Sequence, residues 1–355
     1  MRVLDFLAQP RILPGLSLAQ DAYFLHGVTA PSAPRRPLLR VYDVPGDGIA
    51  LGRYHLPPKP VDTADGPWLY RRRSGGRAVP FGEGFLGVAL ILPHRSALLS
   101  VDPFALAPHQ VLNRYVRGIL DACKLLGLNA FYPGRDAVTS GGRVMGLISF
   151  EVDGRGATLV ETILAVGRDF SLLPLLLDVA DPEGAIKAEM PEATHMTCVE
   201  RELGRTVEFE ELAEAVRRGY EQQFQLTLEP HLLAAAEQSA IDAIARERFA
   251  ADRWLRARQM PPGPWRHAST RGQLGIFETY VDVAQGSVRD VRLAGDFIAN
   301  SPAMDQLESA LRACAPEWHA IHAIVSAVFA QPANFMLGIG KLSTIADTIM
   351  RAIGT

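Results

Sequence analysis

The sequence predicts an α+β protein. A mixed, largely antiparallel sheet flanked by helices occupies residues 1–235, a helical linker follows over 236–262, and a small α+β accessory domain fills 263–355. Three observations predict this. Short apolar runs bounded by Gly and Pro recur between residues 38 and 166, the mark of buried strands. Two long segments, 108–126 and 207–225, carry apolar side chains at helical spacing. Composition changes near residue 235 to an alanine- and charge-rich helix running to about Arg258, which stops at Pro261, Pro262, Gly263 and Pro264. A chain of 355 residues also exceeds one typical core.

Residues 11–28 place Leu18, Ala22 and Leu25 on one helical face, and the prolines of 31–37 interrupt with a loop. A strand over 38–42 ends at the turn-forming residues 45–48. The segment 84–93 crowds Phe85, Leu86, Val88, Leu90, Ile91 and Leu92 into a short run, so it reads as a strand buried on both faces. In the helix 108–126, Val111, Leu112, Tyr115, Val116, Ile119, Leu120 and Cys123 share a face and Gly127 ends it. Strands over 144–152 and 158–166 are joined by the hairpin signal Asp153, Gly154, Arg155 and Gly156. The helix over 207–225 carries Phe209, Leu212, Val216, Tyr220 and Phe224 as its stripe. Beyond the junction, 276–283 and 287–293 alternate around Gln285 and Gly286, followed by Gly295, Asp296, Phe297 and a helix around Leu307 and Leu311.

Hydrophobic content of 48% with 21% charged residues describes an ordinary globular chain. A net charge of −3 argues against bulk nucleic-acid or membrane-surface binding and leaves small anions and specific proteins as partners. Cys123, Cys198 and Cys314 are few, odd in number and far apart, so neither a disulfide framework nor a zinc knuckle is implied. No run approaches the roughly 18 apolar residues of a spanning helix, and a reduced, cytoplasmic location is expected.

Function is written most densely in the run 70–79, Tyr-Arg-Arg-Arg-Ser-Gly-Gly-Arg-Ala-Val. Guanidiniums are planar forks suited to carboxylate or phosphate, and Gly75 and Gly76 let backbone approach a ligand closely. A cationic surface turn has the same composition, so the flanks decide. The loop resembles the signature Arg-Arg-x-Ser/Thr-Gly-Gly-[Gly/Arg]-Ala-Val of the lipoate-protein ligase and octanoyltransferase family. Upstream, the first helix and Ile49, Ala50, Leu51, Gly52 and Arg53 are similar to that family's segments. Downstream, Gly134-Arg-Asp136, Gly142-Arg-Val-Met-Gly146 and Thr162-Ile-Leu164 match in order and spacing, and the Gly295-Asp-Phe297 region resembles the accessory domain of its bacterial ligases.

The resemblance implies a biotin/lipoate-ligase-like fold and transfer of lipoate or octanoate to a lysine of a lipoyl-carrier protein. ATP and Mg2+ are implied for the ligase branch and no cofactor for the transferase branch. An apolar acyl pocket, for which Phe85 and Leu86 are candidates, would gain roughly 0.8 kcal/mol per buried methylene. Arg72, Ser74, Gly75 and Gly76 fall where the family binds the activated carboxyl or phosphate; Arg53, which matches a family Gly-Arg, and Arg77, at the family's third glycine, are further candidates for substrate or nucleotide binding. Arg143 stands where the family has lysine and is the candidate catalytic group; no metal-ligating residue is identified.

The departures keep three readings open: ligase, ATP-independent transferase, and catalytically degenerate acyl- or carrier-binding relative. Arg77 gives the loop a transferase-like form, yet Ala130 and Phe131 stand where the cysteine transferases place their nucleophile. Arg143 is a fixed cation that cannot relay a proton as lysine can. Phe81 and Gly82 replace a family His-Asp, and Val160 and Glu161 replace its His-Gly. Other motifs fail on context. The glycines of 82–87 precede a strand rather than a helix, Gly338 to Lys341 lacks the first glycine and final Ser/Thr of a P-loop, and His319 and His322 stand without further ligands in pattern.

Overall fold

The structure, a computed structural model, describes residues 2–32, 34–58, 67–249 and 253–354. Its centre is an eight-stranded sheet, in spatial order Leu226–Pro230, Arg2–Gln9, Leu38–Tyr42, Phe85–Leu92, Thr158–Ala165, Arg143–Val152, Ala137–Ser140 and Ala130–Phe131. Arg2–Gln9 runs parallel to both its neighbours. Every pairing from Leu38–Tyr42 outward is antiparallel. The sheet is therefore mixed and largely antiparallel, and the hairpin signal at 153–156 falls in its antiparallel part. The strand Arg2–Gln9 escapes the pattern reading because Asp5 and Gln9 break its apolar alternation, and its two partners lie far along the chain.

Period-two alternation sorts the strand side chains onto two faces. Leu39, Val41, Leu86, Val88, Leu90 and Leu92 pack against Val111, Tyr115 and Ile119 of the helix Pro108–Leu125 and Leu212, Val216 and Tyr220 of the helix Phe209–Phe224. These helices cross closely because Gly118 and Gly219 meet, and a Cβ on Gly219 would lie 2.4 Å from the Gly118 carbonyl oxygen. Leu38, Tyr42, Phe85, Ala89 and Ile91 face the other way, onto Ala19, Phe24 and Leu25 of the helix Pro14–Gly27, onto Ala50 and Val79 of a small sheet, and onto Phe81 just after it. That sheet, Trp68–Arg71, Gly48–Leu51 and Val79–Pro80, carries the arginine-glycine loop at its end.

The linker forms the helix Ala235–Ile244, a π turn Ala245–Phe249 and a 3-10 turn Leu255–Arg258, so the expected single helix to Arg258 is broken. Its middle, 250–252, lies outside the described residues, as does Ala33 of the proline-rich loop. The C-terminal part holds the three-stranded sheet Arg266–Arg271, Ile276–Ala284 and Ser287–Gly295 with the helices Ser301–Ala310, Trp318–Phe329 and Ser343–Gly354. Gln285 and Gly286 both take positive φ, the left-handed pair that a two-residue hairpin demands. Its core, with Phe277, Val291, Leu307, Ile321 and Ile345, also takes in Tyr54, which stacks on Phe297 at 4.6 Å. Phe150 of the large sheet stacks on Phe335 at the same separation. No helix among the described residues is long and apolar enough to cross a membrane.

Candidate active site

The three consecutive arginines have three different fates. Arg71 is buried and donates to the carbonyl oxygens of Gly52, Arg53, His55 and Leu255 at 2.6–3.3 Å, tying the linker to the small sheet. Burial, with Arg258 and Arg53 nearby, pushes its pKa down to about 9. Arg72 curls back on its own loop, its Nη2 reaching the carbonyl oxygens of Gly75 at 3.1 Å and Arg77 at 2.7 Å. Arg73 points into the interior, and its Nε and Nη1 meet no partner. Arg71 and Arg73 are therefore not the solvated cations of a surface turn.

Gly75 and Gly76 are needed for close approach, but what approaches is the protein itself. The Gly76 N–H donates to the Phe297 carbonyl oxygen at 2.7 Å, and a Cβ on Gly75 would stand 2.2 Å from that oxygen. The Ser74 N–H donates to Glu161 Oε2 at 2.9 Å, and Ser149 Oγ donates to the Gly75 carbonyl oxygen at 2.8 Å. Ser74 Oγ is buried without a partner. The loop is thereby pinned between the large sheet and the accessory part.

Arg77 leaves the loop on the opposite side and grips Asp136 through Nε at 2.9 Å and Nη2 at 3.1 Å. Burial raises the Asp136 pKa, and the guanidinium opposes that rise. Arg77 also forms the wall of a cleft of about 320 Å³. Its apolar lining comes from Val79, Pro80, Val144, Leu147, Phe170, Leu173, Met190 and Met196, while Glu189, Glu192, His195 and Arg271 stand among the polar members. An apolar trough with a guanidinium in its wall suits an organic group that carries an anionic end.

A family model described as the lipoyl protein ligase A/B catalytic domain matches residues 14–221, more than half of the chain. The chain belongs to this family. It is 21% identical over 272 residues to an octanoyltransferase, LipM, of Geobacillus kaustophilus, covering 68% of this chain and 93% of that one. Among solved structures it resembles LipL1 of P. falciparum in complex with lipoate, with a TM-score of 0.70 at 12% identity over 98% of this chain and 99% of that one. A lipoate-protein ligase A bound with ATP superposes with a TM-score of 0.56 at 18% identity, over 72% and 98%. At these identities the structural likenesses speak to fold, and the LipL1 likeness extends through the accessory part.

Two of the family-derived site expectations are placed differently by the fold. Phe85 and Leu86 cannot line one pocket, because adjacent strand residues face opposite sides. Leu86 lies in the helix-packed core, and Phe85 packs on Phe170 at 5.8 Å, behind the cleft. Beside Arg72, between Ser17, Tyr42, Tyr70, Phe81 and Glu161, only about 10 Å³ is open, room for no more than a water. Arg143 is half-exposed and bonded to Glu202 at 2.5 Å, while its neighbour Val144 lines the cleft. Glu202 is oriented by Thr197 at 2.6 Å and Ser140 at 2.8 Å. Burial raises the Glu202 pKa, but these donors and Arg143 outweigh it and leave it lowered.

The loop as folded does not fit a triphosphate. The Ser74 and Gly76 amides and Arg72 Nη2 are bonded within the protein. Among the described residues no group of three or more His, Cys, Asp or Glu could hold a metal ion. Arg53 stands apart from the cleft, its guanidinium 5.2 Å from the Trp254 ring.

Residue reading missed Asp136, Glu161 and Trp254 as members of this neighbourhood. Asp136 ends the Gly134-Arg-Asp136 motif, and its distance in sequence from Arg77 hides the pair. Glu161 replaces a family glycine, and that substitution was the available signal. Nothing in the composition of the linker marks Trp254, whose Nε1 donates to the Arg71 carbonyl oxygen at 2.9 Å.

Proposed function

We propose that the protein transfers a lipoyl or octanoyl group to a lysine of a lipoyl-carrier protein. The observation that carries this reading is the cleft beside Arg77: about 320 Å³ with a largely apolar lining and a bidentately fixed guanidinium in the wall. Membership of the lipoyl ligase A/B family supports it, as does the activity in the printed name of the Geobacillus relative. Val79, Val144, Leu147 and Met196 exclude water from the acyl chain, and Arg77 holds the oxygen that becomes anionic as the lysine Nζ attacks the acyl carbon. As the free amine Nζ forms the amide, the bond from the acyl carbon to the donor's phosphate or thiolate breaks, the bonding pair leaves with that group, and the Nζ proton passes to water. Glu192 and His195, 3.4 Å apart and exposed beside the cleft, offer the incoming ammonium an acidic approach. Arg143, held by Glu202, acts in this reading by placing Val144 rather than by touching the acyl group. Three free cysteines accord with a reduced, cytoplasmic setting.

The ligase form of this reading would take ATP and Mg2+ to activate the carboxylate, and the amides and Arg72 of the loop would first have to leave their present partners. A second form, transfer from a donor activated beforehand, is favoured by the engagement of the loop's amides and Arg72 within the protein.

The test is incubation with a purified lipoyl domain and either octanoate, ATP and Mg2+ or an octanoyl-carrier protein, read by intact mass of the acceptor. Acylation in either arm supports the proposal and identifies the donor. Met196→Trp, which fills the cleft, should abolish it; full activity in that variant, or no acylation in either arm, would remove the reading.

A further inference from the structure

The cleft beside Arg77 has a closed end, and burial shows which one it is. Of its lining, Ala78, Val79, Phe170 and Leu173 are at most 2% exposed, whereas Met190 is 44% exposed and the side chains of Glu192 and Arg271 are 75% and 77% exposed. Arg77 lies between these extremes, with its side chain 25% exposed. An acyl carboxyl held at Arg77 therefore leaves the tail a choice of the open mouth or the closed end. Removal of its methylenes from water favours the closed end.

Phe170 is the bulkiest side chain at that end. It lines the cleft while Phe85 does not, and the two rings pack at 5.8 Å with their planes tilted by 36°. Both belong to one apolar cluster with Ile163, Ala165 and Cys198, so truncating Phe170 uncovers hydrocarbon. The ring is carried on the 3-10 turn Phe170–Leu172 rather than on a sheet strand. Asp169 caps this turn, accepting from the Ser171 N–H at 3.0 Å, and is itself held by Arg201 Nη1 at 2.7 Å. The backbone that presents Phe170 is thus fixed by its neighbours in the turn and not by the ring.

We propose that Phe170 is the end wall that sets acyl chain length in this cleft, admitting short fatty acyl groups and turning away longer ones. The inference rests on the acyl-transfer reading of the cleft and adds its selectivity. A benzene-sized apolar hole inside a protein stays dry and accepts an apolar guest. Removing the Phe170 ring therefore lengthens the cleft instead of flooding it, and a longer chain that refills the hole gains about fourfold in affinity for each methylene buried.

The test is calorimetric titration of the full chain with octanoate, decanoate and dodecanoate, repeated on Phe170→Ala and on Met196→Trp. The parent should bind octanoate most tightly and lose affinity as the chain lengthens. In Phe170→Ala the order should reverse, dodecanoate gaining at least roughly tenfold over octanoate relative to the parent. Dodecanoate should also raise the melting temperature of Phe170→Ala more than that of the parent, because the bound chain fills the hole. Phe170→Leu leaves a smaller hole and should move the preference only to decanoate, which keeps the test decisive if the alanine variant does not fold. Met196→Trp, with the cleft filled, should bind none of the acids. Octanoate binding with the parent's chain-length order in a folded Phe170→Ala or Phe170→Leu overturns the end wall and leaves the acyl-transfer reading standing. Failure of the parent to bind any of the acids, or binding that survives Met196→Trp, removes the cleft as the acyl site and the end wall with it; transfer to the lipoyl domain then judges the acyl-transfer reading separately.

Discussion

At the residue scale, the cations of this protein are distinguished by what already holds them. Arg77 is fixed by a buried carboxylate, so its removal strands Asp136. Arg77→Gln should lower stability by about 2–4 kcal/mol, measured by urea unfolding, and weaken acyl binding at least about tenfold. Lys at the same position would keep a charge but lose the two-pronged grip and recover little binding. Asp21 gives a prediction in pH. Burial raises its pKa from near 3.8 to about 6 despite Arg40. A folded-state value above the unfolded one means the folded protein holds this proton more tightly, so the associated stability is complete below about pH 4 and is lost as pH rises through about 6. The slope of unfolding free energy against pH in that window should flatten in Asp21→Asn; an unchanged slope would show that Asp21 does not titrate there.

At the scale of elements, the arginine-glycine loop is a joint. Its glycine pair lets the small sheet touch the backbone at Phe297, and Arg72 splints it internally. Gly75→Ala puts a methyl group into the Phe297 carbonyl oxygen, and relief requires the two backbones to part. It should cost about 1–3 kcal/mol and raise amide hydrogen exchange around 295–299 with little change in the helices Pro108–Leu125 and Phe209–Phe224. Uniform loss of protection across both regions would instead mean that the joint is part of the global core. Gly76, with φ +90, should tolerate substitution no better, for reasons of backbone conformation.

At the scale of the whole molecule, the N-terminal and C-terminal parts share side chains. Tyr54 is buried within the accessory core, stacked on Phe297 and donating to the Ala299 carbonyl oxygen at 2.8 Å. His55 Nε2 lies 3.0 Å from Asp296, and Phe150 stacks on Phe335. Tyr54→Ala should therefore cost about 3–5 kcal/mol, as truncation of a buried aromatic does. In calorimetry it should separate one unfolding transition into two, the lower belonging to residues beyond 263. A single transition that merely shifts would show that Phe150 and Phe335 suffice to couple the two parts.

The strands over 38–42, 84–93, 144–152 and 158–166, the paired helices and the Gln285-Gly286 hairpin were legible in the sequence. Their signals are local: period-two or helical spacing of apolar residues and turn residues at fixed offsets. The loop 70–79 was legible as important for the same reason, since glycine and guanidinium chemistry is written in adjacent letters. Partners were not legible. Which carbonyl Arg71 binds, that Gly75 meets Phe297, that Arg77 closes on Asp136 while Arg143 closes on Glu202, and that Phe170 packs on Phe85 all depend on segments brought together across the chain. Strand alternation also sent Leu86 to the face opposite Phe85. Most strands and helices, the family and the residue types of the loop follow from local sequence, whereas the strand Arg2–Gln9 and the break in the linker helix do not. Only the tertiary structure decided which cations are already bonded and which stay free, because hydrogen bonds and burial are properties of neighbours in space.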